Sequence, residues 1–194
     1  MRGPLAGFVV KALAWLPAAF VVWHVSAPVL LWPAAIIAEL VARLGFADFL
    51  RGVEHSGATL TFVTALKPDL AFAQTGRITV DVDMRLYAFG LPLYAALVLA
   101  ARAPGWPRHL AVGYAALMPF VAWGVVADFL KNVAITAGPV VASQTGFAAW
   151  QRESIAFAYQ FGSLILPTVA PSVAWVLTHR AFLARLNARS PATR

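Results

Sequence analysis

Cysteine is absent from this chain of 194 residues. That removes disulfides, thiolate metal sites and every cysteine nucleophile in one step. Charge is scarce as well: 12% of residues are charged, against about a quarter in ordinary soluble domains. Acids are rarer than bases, with eight Asp and Glu against fifteen Lys and Arg. No phosphate loop, Gly-x-Ser-x-Gly elbow or His-Glu-x-x-His motif occurs, so no catalytic set is recognisable. The four histidines, His24, His55, His109 and His179, are never spaced i, i+4, and neither a metal nor a cofactor is expected. There is also no internal repeat, no low-complexity tract and no convincing domain boundary, so a single membrane domain over 1–194 is expected.

What is present in excess is apolar surface. The hydrophobic fraction is 61%, against roughly 45–50% in soluble domains, more than a globule of this size can bury. Lipid is the natural solvent for such a chain. A net charge of +7 can signal nucleic acid. Here the bases sit at the ends of apolar runs, where insertion bias and the cytoplasmic lipid face account for them. No nucleic-acid partner is expected.

Four apolar stretches stand out, at about 12–32, 86–101, 110–127 and 155–179. A span needs about 20 residues at 1.5 Å each. The second stretch is the shortest, and crosses if Arg85 and Arg102 snorkel outward. With the N-terminus inside, one side receives Arg2, Lys11, Arg102, Arg108, Arg180, Arg185, Arg189 and Arg194 and no acid. The other receives Glu39, Asp48, Glu54, Asp69, Asp81, Asp83, Asp128 and Glu153, which is every acid in the chain. The positive-inside rule then places both termini in the cytoplasm. The fold class expected is an all-α polytopic membrane protein with four transmembrane helices, N-in and C-in.

An outer segment, 33–85, and a second outer loop, 128–153, follow from that topology. Ile36, Ile37, Leu40, Val41, Leu44 and Phe49 recur at helical spacing, which predicts an amphipathic surface helix over 33–50. Thr59–Leu66 is rich in β-branched residues, and Arg77–Asp83 alternates polar with apolar. Lys67-Pro-Asp and Gln74-Thr-Gly supply turns. The outer region is therefore expected to be a small α+β layer, a surface helix plus a two-stranded β-hairpin, packed on that helix or on the second loop.

Polar groups near the outer face form the candidate functional cluster: Glu54, His55, Asp128, Lys131, Glu153 and Gln160. Adjacent Glu54 and His55 have acid–base chemistry, although an exposed turn before the first strand is the simpler reading. Asp128 and Lys131, three apart on one helical face, can pair. Gln160 lies deepest and wants a partner on another helix. A polar path through Asp128, Lys131 and Gln160 would suit a small transporter or lipid-handling protein. His109 and His179 fall at cytoplasmic span ends and read as interfacial.

Several strings occur together: Trp15-Leu-Pro, Val53-Glu-His-Ser-Gly, Tyr87-Ala-Phe-Gly-Leu-Pro-Leu, Trp123-Gly-Val-Val-Ala-Asp-Phe-Leu-Lys and Tyr159-Gln-Phe-Gly-Ser-Leu-Ile-Leu-Pro. In this order the chain resembles the exosortase H-associated membrane protein family. That resemblance implies a small membrane protein of Gram-negative bacteria, tied by genome neighbourhood to a sortase-like membrane transpeptidase. Exosortases depend on a cysteine nucleophile with Arg and His, so a cysteine-free chain cannot be that enzyme. The resemblance implies a non-catalytic accessory that binds partner or substrate proteins, and it carries over no site residues.

Overall fold

A computed structural model describes residues 4–68 and 76–188. Asp69 and Gln74, part of the expected turns, lie outside the described residues, as do Arg2, Arg189 and Arg194. Helix α1 (Pro4–Leu30) leads into α2 (Trp32–Gly45) through Leu31. Pro33 sits in the first turn of α2, where its missing N–H costs nothing, and marks the join. Three strands follow, β1 (Leu50–Ser56), β2 (Thr59–Thr64) and β3 (Thr79–Asp83). Next come α3 (Arg85–Ala88), α4 (Gly90–Ala101) and α5 (Trp106–Lys131), the last extended by a π-helical segment, Asn132–Thr136. Short α6 (Pro139–Gln144) precedes α7 (Ala149–Gln160), a second π-helical segment (Phe161–Ile165), α8 (Leu166–Thr178) and α9 (Arg180–Ala188).

Three continuous helical stretches are long and apolar enough to cross a membrane: Leu5–Leu30, Trp106–Thr136 and Ala149–Thr178. At 26 to 31 residues each exceeds about 30 Å of hydrocarbon. The fourth apolar helix, Arg85–Ala101, is shorter and is interrupted at Phe89. Along α1, Val9, Leu13, Val21, Val25 and Val29 are all exposed. So many exposed aliphatic side chains along one helix suit lipid better than water.

The expected two-stranded hairpin is corrected to a three-stranded antiparallel sheet, ordered β1-β2-β3. Thr59–Val63 pairs with Thr79–Asp83 as the alternation predicts. The added strand is β1, which pairs Ser56 with Thr59 across a tight turn. Gly57 makes that turn at φ +61, a conformation side chains resist. Glu54 and His55 therefore lie in a strand rather than in an exposed turn. The helix expected over 33–50 ends at Gly45, because Leu50 already pairs with Thr64. Three strands also answer the marginal stability of a lone hairpin.

The chain divides into two compact units. One comprises Met1–Ser26, Phe89–Leu117 and Thr168–Arg194; the other comprises Ala27–Ala88 and Met118–Pro167. Among the described residues the first holds Lys11, Arg102, Arg108, Arg180 and Arg185 and no acid, whereas the second holds every described acid. Within the second unit the inner face of the sheet is Leu60, Phe62, Val80 and Val82. Phe62 stacks on Phe129 of α5 at 4.4 Å, and Phe49 packs against both Phe129 and Phe147. The Gln144 side-chain amide bonds the N–H and C=O of Lys67 at 3.0 and 2.8 Å, joining the loop after β2 to α6.

Candidate functional site

Asp128 and Lys131 stand one turn apart on α5, and Lys131 Nζ lies 2.9 Å from Asp128 Oδ1. The Asp128 carboxylate is buried. It also accepts a hydrogen bond from Asn132 Nδ2 at 3.0 Å and one from Tyr87 of α3. Lys131 Nζ stands 4.2 Å from the ring centre of Tyr159 on α7, a cation–π contact. One carboxylate thus ties α3 to α5, and its lysine ties α5 to α7. Its donors come from α3 as well as from its own helix, so Asp128 acts as a brace.

The other sequence-derived candidates stand apart from this cluster. Register sets His55 opposite Leu60 on the inner face, and Glu54 opposite Thr61 on the outer one. His55 Nε2 meets Glu39 Oε2 of α2 at 2.7 Å, and Glu39 Oε1 receives Arg43 Nε at 2.7 Å. The two neighbours Glu54 and His55 therefore do not form an acid–base pair. Glu54 joins Asp81 and Thr61 on the outer face, where Thr61 Oγ1 donates to Asp81 Oδ1 at 2.6 Å. Glu153 and Gln160 on α7 are exposed. Tyr87, Asn132 and Tyr159, which complete the Asp128 cluster, carry no spacing signal that reaches across from one helix to another. Only Asn132, four residues after Asp128, could have been found by helical periodicity.

Close backbone approach makes the cluster possible. A Cβ on Gly124 would stand 2.3 Å from Tyr87 Cδ1, and one on Gly162 would stand 3.0 Å from the Gly124 Cα. Both π-helical segments begin directly after cluster-bearing helices, at Asn132 and Phe161, and such segments recur at functional sites. Beside the cluster α2, α5 and α7 border an apolar groove of about 460 Å³, lined by Ile37, Val41, Trp123, Val126, Leu130 and Ile155.

The Glu39 bridge carries a pH dependence. Partial burial raises the Glu39 carboxyl, but hydrogen bonds from His55 and Arg43 outweigh it and hold the group below its ordinary value of 4.5. A lowered folded pKa contributes stability that is full above 4.5 and lost as the pH falls through the folded value. The pair is partly exposed, so the contribution is under about 1 kcal/mol. Thermal melts of detergent-solubilised protein from about pH 7 to about pH 3 should show Glu39→Gln and wild type converging at the acid end.

In the first unit, His109 and His179 meet instead of standing separately at an interface, with ring centres 4.7 Å apart. Trp175 stacks on His179, and Phe8 on Trp175. Tyr94 donates its hydroxyl to the His109 carbonyl at 2.6 Å. Among the described residues no group of three or more His, Asp or Glu converges as a metal site.

A protein-family profile described as exosortase H-associated membrane protein matches residues 2–182. The chain belongs to that family. Searches of the curated proteins and of the solved structures return no match.

Proposed function

We propose that this member of the exosortase H-associated family is a non-catalytic accessory of an exosortase-type protein-sorting system, binding partner or substrate proteins at the outer face of a bacterial inner membrane. Its partner is a sortase-like membrane transpeptidase. The observation that carries this reading is family membership across nearly the whole chain. The braced geometry supports it: Asp128 is engaged by three donors within the fold, and His55 is held by Glu39. Contacts with the partner fall on the outer sheet, through Glu54 and Asp81, and on the 128–153 loop.

The proposed topology has four spans, at about 12–32, 86–101, 110–127 and 155–179, with both termini cytoplasmic and 33–85 periplasmic. The partition of charge between the two units supports it. Segments assigned to the cytoplasm fall in the acid-free unit, and segments assigned to the periplasm fall in the acidic one. An odd number of crossings would part the two termini.

Co-purification from native membranes in mild detergent tests the role. A sortase-like transpeptidase should be recovered with the wild-type chain, and the Glu54→Lys, Asp81→Lys double variant should reduce its yield. Failure to recover it, with the competent enzyme present, sinks the proposal. Topology has a clean assay because the background is cysteine-free. A membrane-impermeant maleimide should label Glu54→Cys in spheroplasts, but Arg108→Cys only after permeabilisation. The reverse pattern would refute the orientation.

A further inference from the structure

The acid-free unit contains two imidazole nitrogens that its own chemistry leaves unanswered. His179 is 2% exposed, and its Nε2 has no hydrogen-bond partner among the described residues. The same holds for His109 Nδ1. A buried polar atom left unpaired costs about 1–3 kcal/mol, and two such atoms on facing rings suggest a shared ligand. Neighbouring residues cannot supply an acidic one, because this unit holds no described Asp or Glu.

The other nitrogen of His179 has two neighbours. Nδ1 lies 3.2 Å from the Trp175 carbonyl oxygen and 2.9 Å from Thr178 Oγ1. The Trp175 carbonyl only accepts, so the tautomer that bonds it carries its hydrogen on Nδ1 and presents a lone pair at Nε2, whereas a hydrogen donated by Thr178 Oγ1 would fix the opposite one. An imidazole that donates one N–H to a backbone carbonyl while holding the other nitrogen free is oriented as metal-bound histidines are.

Ring separation limits what the pair could share. Two imidazoles sharing one ion at metal–nitrogen bonds of about 2.0–2.1 Å, near the tetrahedral angle, hold their centres about 5 Å apart. A bridging water at ordinary hydrogen-bond lengths would hold them at about 6 Å. The observed value is 4.7 Å, with the planes 73° apart, nearer the ion than the water and also within the range of an edge-to-face ring contact. Neither free nitrogen bonds the other ring.

We propose that His109 Nδ1 and His179 Nε2 form a two-histidine site for a borderline transition-metal dication of the zinc, cobalt or copper class. Imidazole ligands select these ions over magnesium and calcium. Two neutral ligands make a weaker site than a closed four-ligand one, and its open positions take water or an anion. The spacing of the histidines in the chain did not reveal this pair. Folding brings the junction of α8 and α9, where His179 stands, against the first turn of α5, and the Tyr94 hydroxyl helps to seat His109 through its carbonyl.

The test uses the full, untagged chain in nanodiscs after chelator treatment. Titration with Co²⁺ should give about one bound ion per chain, with the visible bands of nitrogen ligation. His109→Gln and His179→Gln should each weaken binding roughly tenfold or more, whereas His24→Gln and His55→Gln should leave it unchanged. Spin-echo modulation of the Cu²⁺-loaded wild-type chain counts bound imidazoles without any substitution, so a variant that misfolds does not leave the question open. Two imidazoles support the site. No saturable binding, fewer than two imidazoles, or binding lost instead with His24→Gln or His55→Gln would overturn it.

Discussion

Asp128→Ala should destabilise the protein by about 3 kcal/mol, because breaking a buried pair leaves the other partners uncompensated. The substitution strands three donors together: the Lys131 ammonium, the Asn132 amide and the Tyr87 hydroxyl. Asp128 itself is 8% exposed, so water has little access to replace the lost acceptor. Lys131→Met should cost less. The carboxylate keeps Asn132 and Tyr87, and the methionine side chain still covers the Tyr159 ring that the ammonium now faces. Thermal unfolding in detergent, followed by tryptophan fluorescence, ranks the two variants. Equal losses would show that the pair, rather than the carboxylate's whole set of donors, holds α3, α5 and α7 together.

Gly124→Ala should be the second large effect, at about 2 kcal/mol of net destabilisation. Helix propensity alone predicts the opposite sign, since Ala exceeds Gly by about 1 kcal/mol in a helix interior. Packing overrides it here. The added methyl would lie 2.3 to 2.9 Å from three carbons of Tyr87. Tyr87 cannot swing aside without leaving Asp128. On the neighbouring helix Gly162 already approaches the Gly124 backbone, so α5 cannot retreat. Gly7→Ala, where a Cβ meets nothing within 4 Å, is the control and should be neutral or slightly stabilising. Melting curves of the two alanine variants decide the point. A gain in stability for Gly124→Ala would mean that the close approach of Tyr87 does not constrain the helix.

Much of the outer region was legible because β-structure and helices have short periods. The alternation of Ile78, Val80 and Val82 pointed to β3, and Val80 and Val82 are buried. The run Leu50–Ser56 was missed for the same reason. Its burial pattern does not alternate, because a register irregularity lies between Leu50 and Gly52, and its polar end faces water. Asp128 and Lys131 were legible as a pair because three residues of helix put them on one face. Tyr87 and Tyr159 were not, since nothing in local spacing says which face of which helix will meet another. His55 was noticed beside Glu54, yet strand geometry turns the two to opposite faces and gives His55 to Glu39. His109 and His179 lie far apart in the chain, and each alone resembled an interfacial residue.

The sequence by itself determined the solvent and the segregation of charge. Transfer from water to lipid sums over residues, and so does the cost of moving Lys and Arg across a membrane; neither sum needs to know which helix touches which. Tertiary structure alone decided the pairings: Asp128 with Tyr87, Glu39 with His55, and the facing rings of His109 and His179. Those depend on contacts at hydrogen-bond distance, where a shift of one residue in register or a quarter turn of a helix exchanges one partner for another.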